Sequence, residues 1–197
     1  NKGDNDLSLR FDLTVPLAKY VASRSNELIF PFKRYQIGKV YRGERPQKGR
    51  FREFYQCDID VIGNETLSIL YDAEIPSIIY DLFKKLNIGD FTIRINNRKV
   101  LTGFFNSLEL SDIVTDILRI IDKIEKIGED ATRSELSYLG IDDEKVSKIM
   151  NFIRISGNPF EKINKLKELS ITDPVFNEGV SELETVITNI RDREIEE

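Results

Sequence analysis

The period of apolar and polar positions changes near residue 110. Before that point alternation dominates. Residues 7–13, LSLRFDL, put Leu7, Leu9, Phe11 and Leu13 on one side and Ser8, Arg10 and Asp12 on the other, with Thr14 next on the polar side. This pattern predicts a half-buried strand. Two arms, residues 32–42 and 51–62, are rich in aromatic and β-branched side chains and predict antiparallel strands joined by the charged loop GERPQKG. FTIRIN predicts a further strand with Phe91, Ile93 and Ile95 inward. Helices are expected over 14–25, over 72–86 with Pro76 near the first turn, and as a short element in RKVLTGFFNSL. Thr14 suits the N-cap of the first helix, and Asp12 a carboxylate near its positive end.

Beyond Ser111 a helical period takes over. Ile113, Ile117, Ile120, Ile121 and Ile124 recur along one stripe, and Gly128 ends it. Further helices are expected at about 130–139, 142–155, 159–169 and 174–190, each bounded by Gly, Pro, Ser or Asp. The fold class expected is α+β, an antiparallel sheet with flanking helices, followed by a small all-helical domain. The domains are read as 1–109 and 110–197.

Strand parity makes residues 32–62 informative, because alternate side chains face opposite sides. On the second arm Phe51, Tyr55, Cys57, Ile59 and Val61 share a face and read as core. The opposite face carries Arg50, Arg52, Phe54, Gln56, Asp58 and Asp60. A solvated face would explain the second arm taken alone. The first arm repeats the pattern, with Arg34, Gln36, Gly38, Val40 and Arg42 on one side. Cations near the loop and carboxylates further down suggest a surface holding phosphate at one end and an amine or imidazole at the other.

VYRGERPQKGRFREFYQCDIDVIG resembles motif 2 of the class II aminoacyl-tRNA synthetases, and of the histidyl-tRNA synthetases in particular. LSLRFDLTVPLAKYVA resembles the segment that precedes motif 2 in the same family. The resemblance is strong over 7–63 and 88–102 and weaker over the helical part. It implies a partial class II catalytic core followed by a helical insertion domain that reaches toward the tRNA acceptor end. It also implies the reaction: histidine's carboxylate attacks the α-phosphate of ATP, and the histidyl group passes from the adenylate to tRNA(His). ATP with Mg²⁺, L-histidine, the tRNA(His) acceptor end and a homodimeric full-length protein are the implied cofactors and partners.

Residue by residue, Arg42 matches the motif 2 arginine on the α-phosphate and the amino-acid carboxylate, the catalytic position. Glu44, Arg50 and Phe51 match ATP-binding positions, Phe51 as the ring on which adenine stacks. That role conflicts with its place on the apolar face unless the strand begins after it. Asp12, Thr14, Gln56 and Asp60, together with Arg42, match histidine-binding positions, with Asp where many bacterial relatives have Glu. Arg45, Lys48 and Arg52 are candidate tRNA contacts.

Composition narrows the alternatives. With no histidine and one cysteine, Cys57, the usual zinc clusters, His-based triads and internal disulfides are unavailable, and no metal site is expected. The parity argument makes Cys57 a packed thiol, and its solitary state suits a reducing cytoplasm. No apolar run is long enough to predict a membrane span. Net charge is −5, yet residues 33–53 hold eight Lys/Arg against two Glu, so a nucleic-acid contact would fall on this patch. Asn1 is not Met, and the chain is read as a piece of a longer protein. Motif 1, motif 3, a second histidine-binding segment and an anticodon-binding domain would lie outside it. The competing readings are a synthetase-like regulatory paralogue, either the ATP phosphoribosyltransferase regulatory subunit or a tRNA-sensing domain, and an α+β module with an RNA-facing basic loop.

Overall fold

The computed structural model describes residues 8–193. Its contacts divide the chain into two units, one ending at Tyr71 and the other beginning at Asp72. The change of hydrophobic period near residue 110 therefore falls inside the second unit.

In the first unit, β1 (Phe32–Tyr41) and β2 (Glu53–Ile62) form a two-stranded antiparallel ribbon. Phe32 stands opposite Ile62 and Tyr41 opposite Glu53, without a slip between them. Helix α1 (Thr14–Arg24) starts at the expected residue. Its first N–H groups are satisfied by Asp12, whose Oδ1 accepts from the amides of Thr14 and Val15 at 3.1 Å each. The N-cap residue is Leu13, and the side chain that serves the first amides is that of Asp12, not Thr14.

Three expectations for this unit are corrected. Residues 8–13 are not a strand: a single backbone bond, from Tyr41 N–H to the Arg10 carbonyl at 2.9 Å, ties them to the edge of β1. Leu9 and Phe11 are exposed and Leu13 is fully buried, while Leu7 lies outside the described residues. Strand β2 begins at Glu53, after Phe51. The third correction concerns the core face. Tyr55 and Cys57, read as inward, are exposed, and so are Tyr35 and Ile37 on the first arm. The even-numbered face is the covered one, since Leu13 packs beside Gly38, and Val40 is fully buried. Parity assigned the side chains to shared faces, but which face is covered depends on where the 10–13 segment crosses.

In the second unit the helix signals translate almost directly. Helix α2 (Leu70–Leu86) begins two residues early, which places Pro76 inside the helix and not in its first turn. Proline there leaves the Asp72 carbonyl without its usual amide partner. Asn87 ends the helix at φ +51°, a conformation Asn tolerates. Residues 91–96, expected as a strand, form no strand and have no backbone partner among the described residues, and Ile95 is exposed. Alternation alone does not make a strand; a ladder also needs a neighbour.

Asn97 caps α3 (Arg98–Ser107) by accepting from the Lys99 amide. The expected helix over 113–124 is instead a short 3₁₀ turn, Ser111–Ile113, followed by α4 (Val114–Ile121) and α5 (Ile124–Ile127). Gly128 closes α5 at φ +83°, where a side chain would be strained. Helices α6 (Glu129–Tyr138), α7 (Asp143–Ile153), α8 (Pro159–Glu168) and α9 (Pro174–Arg191) follow. Asp142, Asn158 and Asp173 cap the last three, and proline opens the last two.

These helices bury Phe105, Ile117, Leu136, Ile149, Met150, Ile163 and Phe176, and Phe104 stacks on Phe152 at 4.0 Å between centroids. The tightest approach joins α3 to α9. A Cβ added to Gly103 would stand 2.2 Å from the Phe176 nitrogen, and one on Gly179 would stand 2.6 Å from the Val100 nitrogen. Lys99 fastens the same contact, donating to Glu182 at 2.5 Å and Glu178 at 2.8 Å, while the Asn97 side chain donates to Glu182 at 2.7 Å. Glu178 and then Glu182 raise the Lys99 ammonium above its ordinary value. The same ammonium, followed by the Asn97 amide, holds the Glu182 carboxyl below the usual range.

Because backbone meets backbone at Gly103, a methyl group there has nowhere to go. Gly103→Ala should lower unfolding stability by about 2–3 kcal/mol, seen as an earlier urea midpoint by far-UV circular dichroism. An unchanged midpoint would contradict this packing.

Candidate active site

The register of β1 and β2 decides what the even face presents. Arg34 lies opposite Asp60, Gln36 opposite Asp58, Gly38 opposite Gln56 and Val40 opposite Phe54. Arg42 follows one residue beyond β1, its amide donating to the Arg52 carbonyl at 2.9 Å. The pleat sends all these even-numbered side chains to one side.

At the loop end, the Arg42 guanidinium lies 4.7 Å from the centre of the Phe11 ring and 5.2 Å from that of Phe54. Its Nε donates to the Phe11 carbonyl at 3.4 Å. Two aromatic faces thus hold the cation at a fixed place on the even face. Neither ring was recognised from sequence as part of the site. Phe54 was legible by parity, as a diagonal neighbour of Arg42, whereas the pattern around Phe11 pointed inward.

The loop is ordered by its own charges. Arg50 pairs with Glu44 at 3.1 Å, and Arg52 Nε donates to the Glu44 carbonyl at 3.2 Å. Gln47 and Arg50 exchange backbone bonds at 3.2 and 2.9 Å around Gly49, which sits at φ +78°. Arg45 and Lys48 project from this turn as exposed cations. Phe51 is 67% exposed, so its ring is free to stack and the core reading of it is overturned.

At the far end of the ribbon the groups are drier. Arg34 Nη2 stands 2.9 Å from Asp60 Oδ2, with the two side chains 13% and 25% exposed. The same guanidinium donates to Gln36 Oε1 and, at 3.4 Å, to the Leu13 carbonyl. Gln56 turns its amide N–H toward Asp58 Oδ2 at 3.3 Å. The result is three buried polar atoms without an aligned partner among the described residues, the acceptors Gln56 Oε1 and Asp60 Oδ2 and the donor Arg34 Nε. Buried acceptors without donors are uncommon and fit a ligand that brings N–H groups. Asp12 and Thr14 lie on the segment that crosses this face, and Asp12 uses one carboxylate oxygen, Oδ1, to accept from the first amides of α1. Of the expected histidine-site residues, the ribbon gathers Arg42, Gln56 and Asp60 on one face, and Asp12 Oδ1 caps α1.

A family model described as histidyl-tRNA synthetase matches residues 1–197. The chain belongs to the histidyl-tRNA synthetase family. It is 64% identical over 191 residues to a histidine–tRNA ligase of Clostridium tetani, covering 97% of this chain and 43% of that protein. Against the ligase of Trichormus variabilis it is 55% identical over 193 residues, covering 96% of this chain and 42% of the other. The crystal structure of histidyl-tRNA synthetase from Nostoc sp. PCC 7120 superposes with a TM-score of 0.86 at 52% identity, over 95% of this chain and 43% of that one. An ATP phosphoribosyltransferase regulatory subunit/histidyl-tRNA synthetase from Bacillus halodurans C shares the fold, with a TM-score of 0.76 at 19% identity over 98% of this chain and 48% of that one. The chain thus spans about 43% of the length of the histidine–tRNA ligases it matches.

Exposure of the odd face in this member of the histidyl-tRNA synthetase family can be read directly. Cys57 in the 197-residue chain should react with a maleimide at a rate close to that of the same chain in urea. Strong protection in the native state would show that the apolar face is covered after all.

Proposed function

We propose that this chain is the motif 2 and insertion part of a histidine–tRNA ligase, which activates L-histidine with ATP and transfers it to tRNA(His). The observation that carries the reading is the even face of β1 and β2. It sets a ring-clamped arginine at the loop end and two unsatisfied buried acceptors further along. An amino acid meets those demands with a carboxylate at one end and N–H groups at the other.

In this reading Arg42 binds the histidine carboxylate and the α-phosphate together. Attack of the carboxylate on that phosphorus expels pyrophosphate, and negative charge grows on the equatorial oxygens beside the guanidinium. A fixed cation stabilises such a transition state more than the ground state, without supplying a nucleophile. Glu44 and Arg50 form the ATP-facing wall, and adenine stacks on Phe51. Gln56 and Asp60 accept from the imidazole or the ammonium, so a competitor lacking those donors leaves both acceptors unpaired.

Among the described residues no group of three or more acidic, cysteine or histidine side chains could hold a metal by itself. Mg²⁺ would therefore arrive on the ATP phosphates, which supply most of its ligands. In this reading Arg45, Lys48 and Arg52 contact the tRNA acceptor end, and the helical part is a further tRNA contact. The open apolar face of Tyr35, Ile37, Tyr55 and Cys57 would be covered by the rest of a homodimeric, cytoplasmic protein. Among the described residues no helix is long and apolar enough to cross a membrane. A regulatory paralogue is less well supported, because the likeness to a regulatory subunit carries fold alone while the ligases share more than half of their aligned residues.

The full-length protein should catalyse histidine-dependent exchange of pyrophosphate into ATP. Arg42→Ala should reduce kcat by about 10²- to 10³-fold, the usual cost of removing one preorganised electrostatic group. The isolated 197 residues should give no exchange. Loss-free exchange by Arg42→Ala, or turnover by the isolated chain, would contradict the assignment.

A further inference from the structure

We infer that Arg34 is a positioning residue for histidine recognition, acting through Asp60. This rests on the reading that the even face takes histidine. Arg34 stands directly across the ladder from Asp60, the position at which a short carboxylate can be met by a long cation. Its guanidinium makes three attachments at once, to Asp60 Oδ2 at 2.9 Å, to Gln36 Oε1 on its own strand, and to the Leu13 carbonyl. These tie β1, β2 and the segment leading into α1 together at one side chain.

The contact with Asp60 is an ion pair at short range without hydrogen-bond alignment, so Asp60 Oδ2 keeps its capacity to accept. Arg34 therefore does two things. It sets the opposite charge beside a poorly solvated carboxylate, and it fixes that carboxylate's direction without consuming its acceptor. Asp60 reaches one methylene less far than Glu would, which makes its placement more dependent on a neighbour. The two terminal nitrogens of Arg34 turn toward Asp60, Gln36 and Leu13, and its Nε is left without a partner beside Asp60 and Gln56. The fork matters as well as the charge, because the planar guanidinium presents its donors in a fixed, spread geometry that a single ammonium does not reproduce.

The test is histidine-dependent pyrophosphate exchange by the full-length protein, with Arg34→Leu and Arg34→Lys beside the unchanged sequence. Arg34→Leu should raise KM for histidine by about 10- to 100-fold, the worth of a charge-assisted contact. KM for ATP should stay within about twofold, because the phosphate end of the ribbon is untouched. Arg34→Lys should recover part of the loss. Should Arg34→Leu fail to fold by circular dichroism, Arg34→Lys carries the same criterion, a histidine KM that rises while the ATP KM does not. An unchanged histidine KM, or both KM values rising together, overturns the inference. Absence of exchange by the unchanged protein would be the separate failure of the parent reading, and would remove the inference with it.

Discussion

The unbroken register of β1 against β2 is the constraint on which the candidate site depends. A one-residue slip of β2 would turn its side chains to the other face. It would bring Tyr55 and Cys57 to the side that holds Arg34 and Gln36. The Arg34–Asp60 pair resists such a slip at one end, and the Lys39–Glu53 pair at 2.5 Å resists it at the other. Lys39 faces the odd side, and Glu53 holds its ammonium above the ordinary value, chiefly by accepting its hydrogen bond. The exposed pair contributes little stability by itself. The drier pair is worth more as a specifier, since breaking it strands a charge.

From that register the division of labour along the ribbon follows. Arg42 and the loop lie at the end where charges are exposed and numerous, suited to a nucleotide that carries its own solvation and metal. Gln56 and Asp60 lie where water is scarcer, suited to a small ligand chosen by its donors. The basic patch over 33–53 is confined to this hairpin, and the rest of the chain is net acidic. Electrostatic attraction for phosphate is therefore local to the site.

Much of this was legible in the sequence because the informative signals are local. Asp142, Asn158-Pro159 and Asp173-Pro174 announced helix starts, and the caps form where those residues stand. The even positions of both arms were assigned to a common face, and the register bears that out. The errors share a non-local cause. Residues 8–13 and 91–96 alternate as strands do, but alternation cannot say whether a neighbour is present to complete a ladder. Cys57 and Tyr55 were given to the core because they are apolar, whereas coverage follows from where the 10–13 segment lies. Gly103 and Gly179 gave no sign of pairing, since close approach of two helix backbones depends on residues more than seventy positions apart. The chain also spans under half the length of the ligases it matches.

The most direct test of the central claim is a crystal structure of the full-length protein with histidine and a non-hydrolysable ATP analogue. The account predicts the histidine carboxylate at Arg42, its N–H groups at Gln56 and Asp60, and adenine against Phe51. Both ligands bound away from the even face of the ribbon, or histidine held without Gln56 and Asp60, would contradict it.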